Sequence, residues 1–165
     1  MSGAGVDSSL VAVPWRGPET FVHAVGELRC VYLGVLESGA LCWPVAAVSG
    51  LVYHHTPERW RALAIMERGW SLDEVLVGRS HGDGVYCRAA YTAPAGRGVV
   101  VVASLLAAPL LDMSAGDDYG TFTRALPKHA VRRKLLDLGV VGILCRWGAV
   151  IYDPHWAVVQ GYYYR

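Results

Sequence analysis

The chain has 165 residues, 53% of them hydrophobic and only 18% charged, and 15 Lys+Arg against 14 Asp+Glu give a formal charge of +1. Against typical fractions of roughly 45–50% apolar and 25% charged, this excludes a disordered chain, and the length suits a single domain, 1–165, with one sizeable core. The even charge balance offers no basic field, so nucleic acid is a poor partner: neutralised phosphates supply most sequence-independent affinity.

The opening MSGAGVDSSL has neither a basic n-region nor an apolar h-region, which argues against a signal peptide. Residues 1–45 carry no motif and are expected to pack on a sheet or over part of a pocket. Residues 28–38 read as one strand or two short ones, whereas 40–48 is apolar but interrupted by Pro44 and stays ambiguous. A short strand, 51–54, is followed by Thr56 as N-cap and Pro57 as first helical residue. Trp60, Leu63 and Ala64 recur at helical spacing, and Gly69 stops the helix. Residues 71–84 read as a loop in which Asp73 and Glu74 are solvated carboxylates; Asp117 and Asp118 form a similar turn.

Val85 and Tyr86 begin a short strand, and 99–106 is a nearly pure aliphatic one. Pro127 opens a second helix with Ala130, Val131, Leu135 and Leu138 on one face and Gly139 at its end, its Arg132, Arg133 and Lys134 facing solvent. Strands follow at 142–145, 149–152 and 156–164. Many strands, two helices and no regular βα alternation predict an α+β fold with mostly antiparallel sheet. The apolar run 98–111 is too short for a bilayer span and contains Pro109, so a soluble, intracellular protein, cytoplasmic or nuclear, is expected. Cys30, Cys42, Cys87 and Cys145 are scattered without a CxxC pair, which predicts free thiols rather than zinc or a disulfide framework; no metal site is expected. The six tryptophans are expected to be mostly core anchors, with one or two exposed.

Three short segments carry chemistry. In 52-VYHHT-56, His54, His55 and Thr56 close an apolar strand at the rim of a sheet, although a histidine pair there is more often structural than catalytic. In 82-GDGVYC-87, Gly82 and Gly84 allow close approach of a flat ligand and lead to Tyr86, with Tyr91 a little further on. In 148-GAVIYDPHW-156, a late strand runs through Val150, Ile151, Tyr152 and Asp153.

This order resembles the catalytic domain of the ADP-ribosyltransferases of the poly(ADP-ribose) polymerase, or diphtheria-toxin-like, type, over roughly residues 50–160. The resemblance implies split, mostly antiparallel β-sheets flanked by a few helices, with NAD as substrate. It implies that His54 meets the adenosine-side ribose, that the His55 backbone and the Thr56 hydroxyl hold the nicotinamide amide, and that Tyr91 stacks on the nicotinamide. Tyr86 would be the structural tyrosine lining the same pocket; because Tyr86 and Tyr91 are closer than in the family, either could provide the stack. His55 replaces the family's glycine and must point its side chain away. Gly148 stands where the family has a catalytic Glu, which makes chain elongation implausible. The readings left open are a mono-ADP-ribosyltransferase acting on a protein or other nucleophile, a silent NAD-binding or protein-interaction module, and an NAD hydrolase or RNA 2′-phosphotransferase. The charge balance counts against the last.

Overall fold

A computed structural model describes residues 11–14, 22–38, 41–71, 80–115 and 119–164. Asp73, Glu74, Asp117, Asp118 and Trp15 lie outside the described residues. The described residues form, in chain order, β1 (Val11–Pro14), β2 (Val22–Val25), β3 (Leu28–Ser38), β4 (Leu41–Thr56), α1 (Arg59–Arg68), β5 (Val85–Arg88), β6 (Val99–Asp112), α2 (Tyr119–Ala125), α3 (Val131–Asp137), β7 (Gly142–Leu144), β8 (Gly148–Ile151) and β9 (Val158–Tyr164). A 3-10 turn, Pro154–Trp156, precedes β9. The fold is α+β, with one large mixed sheet. Among the described residues no helix is long and apolar enough to cross a membrane.

The two longest strands organise the rest. One edge of β4 pairs with β6 from Val45↔Leu111 to Thr56↔Val99, and the other pairs first with β3 and then, at Tyr53↔Arg88, with β5. Strand β6 likewise takes β9 at one end and β7 at the other. Because β5 pairs with β8 and β8 with β7, the ladder returns to β6 and closes a ring of five strands, β4–β5–β8–β7–β6. The described strands thus form one connected network rather than separate sheets. Among the described strands only β6 and β7 pair in parallel; such a pair needs a long crossover, and α2 and α3 supply it.

Val48 and Val52 from β4, Val85 and Cys87 from β5, Leu110 from β6 and Ile151 from β8 fill the ring. Outside it, Phe122, Leu126, Val131 and Leu135 bury the outer faces of Ile143 and Val150. Helix α1 lays Ala62 and Ile65 on Val99 and Val101.

Several local expectations change. Residues 40–48 and 51–54 belong to one strand: Pro44 lies before the first β6 partner, where β4 is an edge and a missing N–H is tolerated. Thr56 is not an N-cap, because its pairing with Val99 keeps it in β4; Glu58 takes the cap position without a side-chain cap bond. Pro127 sits in a turn and α3 begins only at Val131, while α2 had no clear periodicity to reveal it. Strand β6 continues to Asp112 through a bulge at Ala107 (φ 48°), whose N–H is taken by the Ser49 hydroxyl at 2.8 Å. Within residues 1–45 the described segments are the strands β1, β2 and β3 and the start of β4. Cys30, Cys87 and Cys145 are buried free thiols and Cys42 is exposed. Trp60, Trp147 and Trp156 are exposed, so the tryptophans are less uniformly core residues than expected.

Candidate functional site

Among the described residues, β4 and β5 share no ladder pair beyond Tyr53↔Arg88 as β4 runs on to Thr56. At this seam the His54 ring takes over: its Nδ1 donates to the Tyr86 carbonyl at 2.8 Å, and its face meets the Trp70 ring edge-on at 5.3 Å. The two motif segments, 32 residues apart, therefore meet through an imidazole in place of a backbone ladder. Thr56 is buried at the end of the strand.

Adjacent strand residues point to opposite faces, and the two histidines obey this. His55 turns away from Trp70, and its Nε2 lies 3.1 Å from the Thr92 carbonyl and 3.0 Å from the Thr92 hydroxyl, which also accepts from Arg88 at 3.0 Å. Bonding to a carbonyl requires the proton on Nε2, which leaves Nδ1 as an acceptor; that atom is buried and has no hydrogen-bond partner among the described residues. Burial lowers the His55 pKa, the Thr92 carbonyl opposes the shift, and the Arg88 cation adds to it. His55 is thus a neutral imidazole at pH 7.

Tyr86 is held at both ends. Its hydroxyl donates to the Gly82 carbonyl at 2.7 Å and accepts the His81 N–H at 3.0 Å, and its ring lies parallel to Trp147 at 6.0 Å between centroids. Gly82 (φ 83°) is required here, since a Cβ would lie 2.5 Å from Val131 and 2.8 Å from the Lys128 carbonyl. Tyr91 is half-exposed and packs edge-on against Tyr53 at 5.8 Å and Tyr163 at 5.5 Å. It shares the His55 side of β4, not the Trp70 side occupied by His54. The sequence-predicted residues thus fall into two groups, one on each face of β4, joined at the seam. A cavity of about 470 Å³, lined by Arg88, Ala90, Thr92 and Trp147, opens beside the His55 group.

Sequence reasoning missed the residues that complete this group. Thr92 and Arg88 flank motif residues and were within reach. Glu27 was not: it comes from the β2–β3 turn, its carboxylate accepting from the Tyr53 hydroxyl at 2.9 Å and the Tyr91 N–H at 3.1 Å. Burial, followed by the bond to Glu27 and its charge, pushes the Tyr53 hydroxyl up to about 12, so it remains a donor.

Gly148 has no room for any side chain. It pairs with Arg88, and a Cβ there would lie 1.9 Å from the Cys87 carbonyl oxygen and 2.7 Å from the Arg88 Cα. The glycine is set by the close approach of β5 and β8.

Comparison of the chain with protein-family models, with curated proteins and with solved structures finds no match.

Proposed function

We propose that this chain binds NAD at the β4–β5 seam, as an ADP-ribosyltransferase-type protein that transfers a single ADP-ribose to a protein or other nucleophile. The observation that carries the reading is the bond from His54 Nδ1 to the Tyr86 carbonyl, which joins the His-His-Thr and Gly-x-Gly-Val-Tyr segments; a cavity lined by Arg88, Ala90, Thr92 and Trp147 opens on the His55 side of this seam. The chemistry around it suits a dinucleotide. Arg88 offers a guanidinium to a diphosphate, and Trp147 and Tyr91, both exposed, offer flat faces to a heterocycle. In this reading the ligand crosses the β4–β5 seam: His54 meets a ribose hydroxyl on the Trp70 side, the His55 backbone and the Thr56 hydroxyl meet the carboxamide, and Tyr91 forms the stack on the other side, with Tyr86 bracing the Gly82 turn. Within this reading, the bar to a carboxylate at 148 also favours a silent NAD-binding module.

Titration with NAD and with nicotinamide, followed by an assay for nicotinamide release, tests both. Binding with release supports transfer or hydrolysis, binding without release supports the silent module, and no binding removes the NAD reading. His54→Ala is expected to weaken NAD binding by about 5- to 150-fold, the equivalent of roughly 1–3 kcal/mol for a lost buried hydrogen bond. His55→Ala, which leaves the backbone contact in place, is expected to weaken it less. Equal losses in the two variants would overturn the assignment of the ribose contact to the His54 side chain.

A further inference from the structure

We propose that Glu27, delivered by the β2–β3 turn, is the carboxylate that contacts the ribose of the bound dinucleotide and assists release of nicotinamide; the assignment rests on the NAD reading above. Breaking the nicotinamide–ribose bond sends the bonding pair to the ring nitrogen, and nicotinamide leaves neutral. Positive charge then builds on the ribose carbon. An oxygen of water or of an acceptor forms the new bond to that carbon and gives its proton to solvent. A carboxylate beside such an oxocarbenium-like centre stabilises it.

The late strand cannot supply this group, because residue 148 admits no Cβ. Glu27 lies close by through a short chain of backbone bonds. Its N–H donates to the Ala89 carbonyl at 2.9 Å, and the Ala89 N–H donates to the Trp147 carbonyl at 3.1 Å. The turn is therefore docked one rung from the residue that precedes Gly148.

Two glycines allow that docking. Gly26 has φ 57°, and a Cβ there would lie 2.7 Å from the Ala89 oxygen; a Cβ at Gly50 would lie 2.8 Å from the Glu27 oxygen. The carboxylate itself is oriented, one oxygen by the Tyr53 hydroxyl and the other by the Tyr91 N–H. Each oxygen still has accepting capacity, and the residue is solvent-exposed, so ligand hydroxyls can reach it. The group is thus held in place and accessible, beside the tyrosine assigned to the stack and on the same face of β4 as His55 and Arg88. A carboxylate that only tied down the 89–92 segment would occupy the same place, and the experiment separates the two roles.

Wild type and Glu27→Gln are compared for NAD affinity by calorimetry and for nicotinamide release in single turnover. The expected result is a 10²- to 10³-fold slower release in the variant, the usual loss for one such electrostatic contact, with NAD affinity within about tenfold of wild type. If Glu27→Gln does not fold, Glu27→Asp, which keeps the charge, takes its place. Slowed release with NAD affinity within about tenfold of wild type supports the assignment, and release at the wild-type rate overturns it. Equal release by Glu27→Gln and wild type, or wild-type binding without release, overturns the role of Glu27 and leaves the NAD site standing. Failure of the wild type to bind NAD overturns both.

Discussion

Gly148→Glu is expected to leave the chain unable to complete its five-strand ring, with a loss above about 4 kcal/mol, in the exceptional range for one substitution. The clash is with backbone on the neighbouring strand, the Cys87 oxygen at 1.9 Å and the Arg88 Cα at 2.7 Å, so no rotamer relieves it. Gly148→Ala should therefore show most of the same damage. A carboxylate introduced at this position cannot test catalysis, because fold and site fail together. Ala149→Glu is expected to be damaging as well, since Ala149 is fully buried within the ring. Thermal melts and limited proteolysis check the expectation; a Gly148→Ala protein melting with wild type would mean that β5 and β8 do not approach as described.

Tyr152→Ala is expected to cost about 3–5 kcal/mol, the range for removing a large buried aromatic side chain, against a total stability of about 5–15 kcal/mol for a domain. Tyr152 is fully buried, packed among Phe122, Val131 and Leu135, and its hydroxyl donates to the His81 carbonyl at 2.5 Å. Burial raises its pKa well above the ordinary value, so it stays a neutral donor. Tyr152→Phe keeps the packing and removes only that bond, and about 1–3 kcal/mol should be lost. The consequence reaches the site, because residues 81 and 82 also bond the Tyr86 hydroxyl. Both variants should loosen the Tyr86–Trp147 stack, and urea denaturation with fluorescence of Trp147 would report the two effects. Equal losses from Ala and Phe would assign the stability to the hydrogen bond rather than to packing.

The sequence-level reading succeeded where the signal was local. The aliphatic run beginning at Val99 formed β6, Gly69 (φ 80°) ended α1, and 28–38 formed a single strand. It failed where a distant partner set the boundary. Thr56 looks like a cap until Val99 pairs with it, and Pro44 looks like a break until β3 carries it. The candidate site divides along the same line. The alternation of side chains along a strand is enough to separate His54 from His55. The strand of Tyr86 was also legible, but its stacking on Trp147, 61 positions away along the chain, was not.

The amino-acid sequence by itself determined the α+β class and the strands around both motif segments, because apolar periodicity and the placement of Gly and Pro are local properties. Tertiary structure alone decided that β4, β5, β8, β7 and β6 close into a ring, that residue 148 admits only glycine, and that Glu27 stands beside Tyr91. Each of these depends on segments brought within hydrogen-bond or van der Waals distance across tens of residues. For Glu27 the separation is 26 positions to Tyr53 and 64 to Tyr91. A turn that appears featureless in one dimension acquires its chemistry only from the strands against which it is packed.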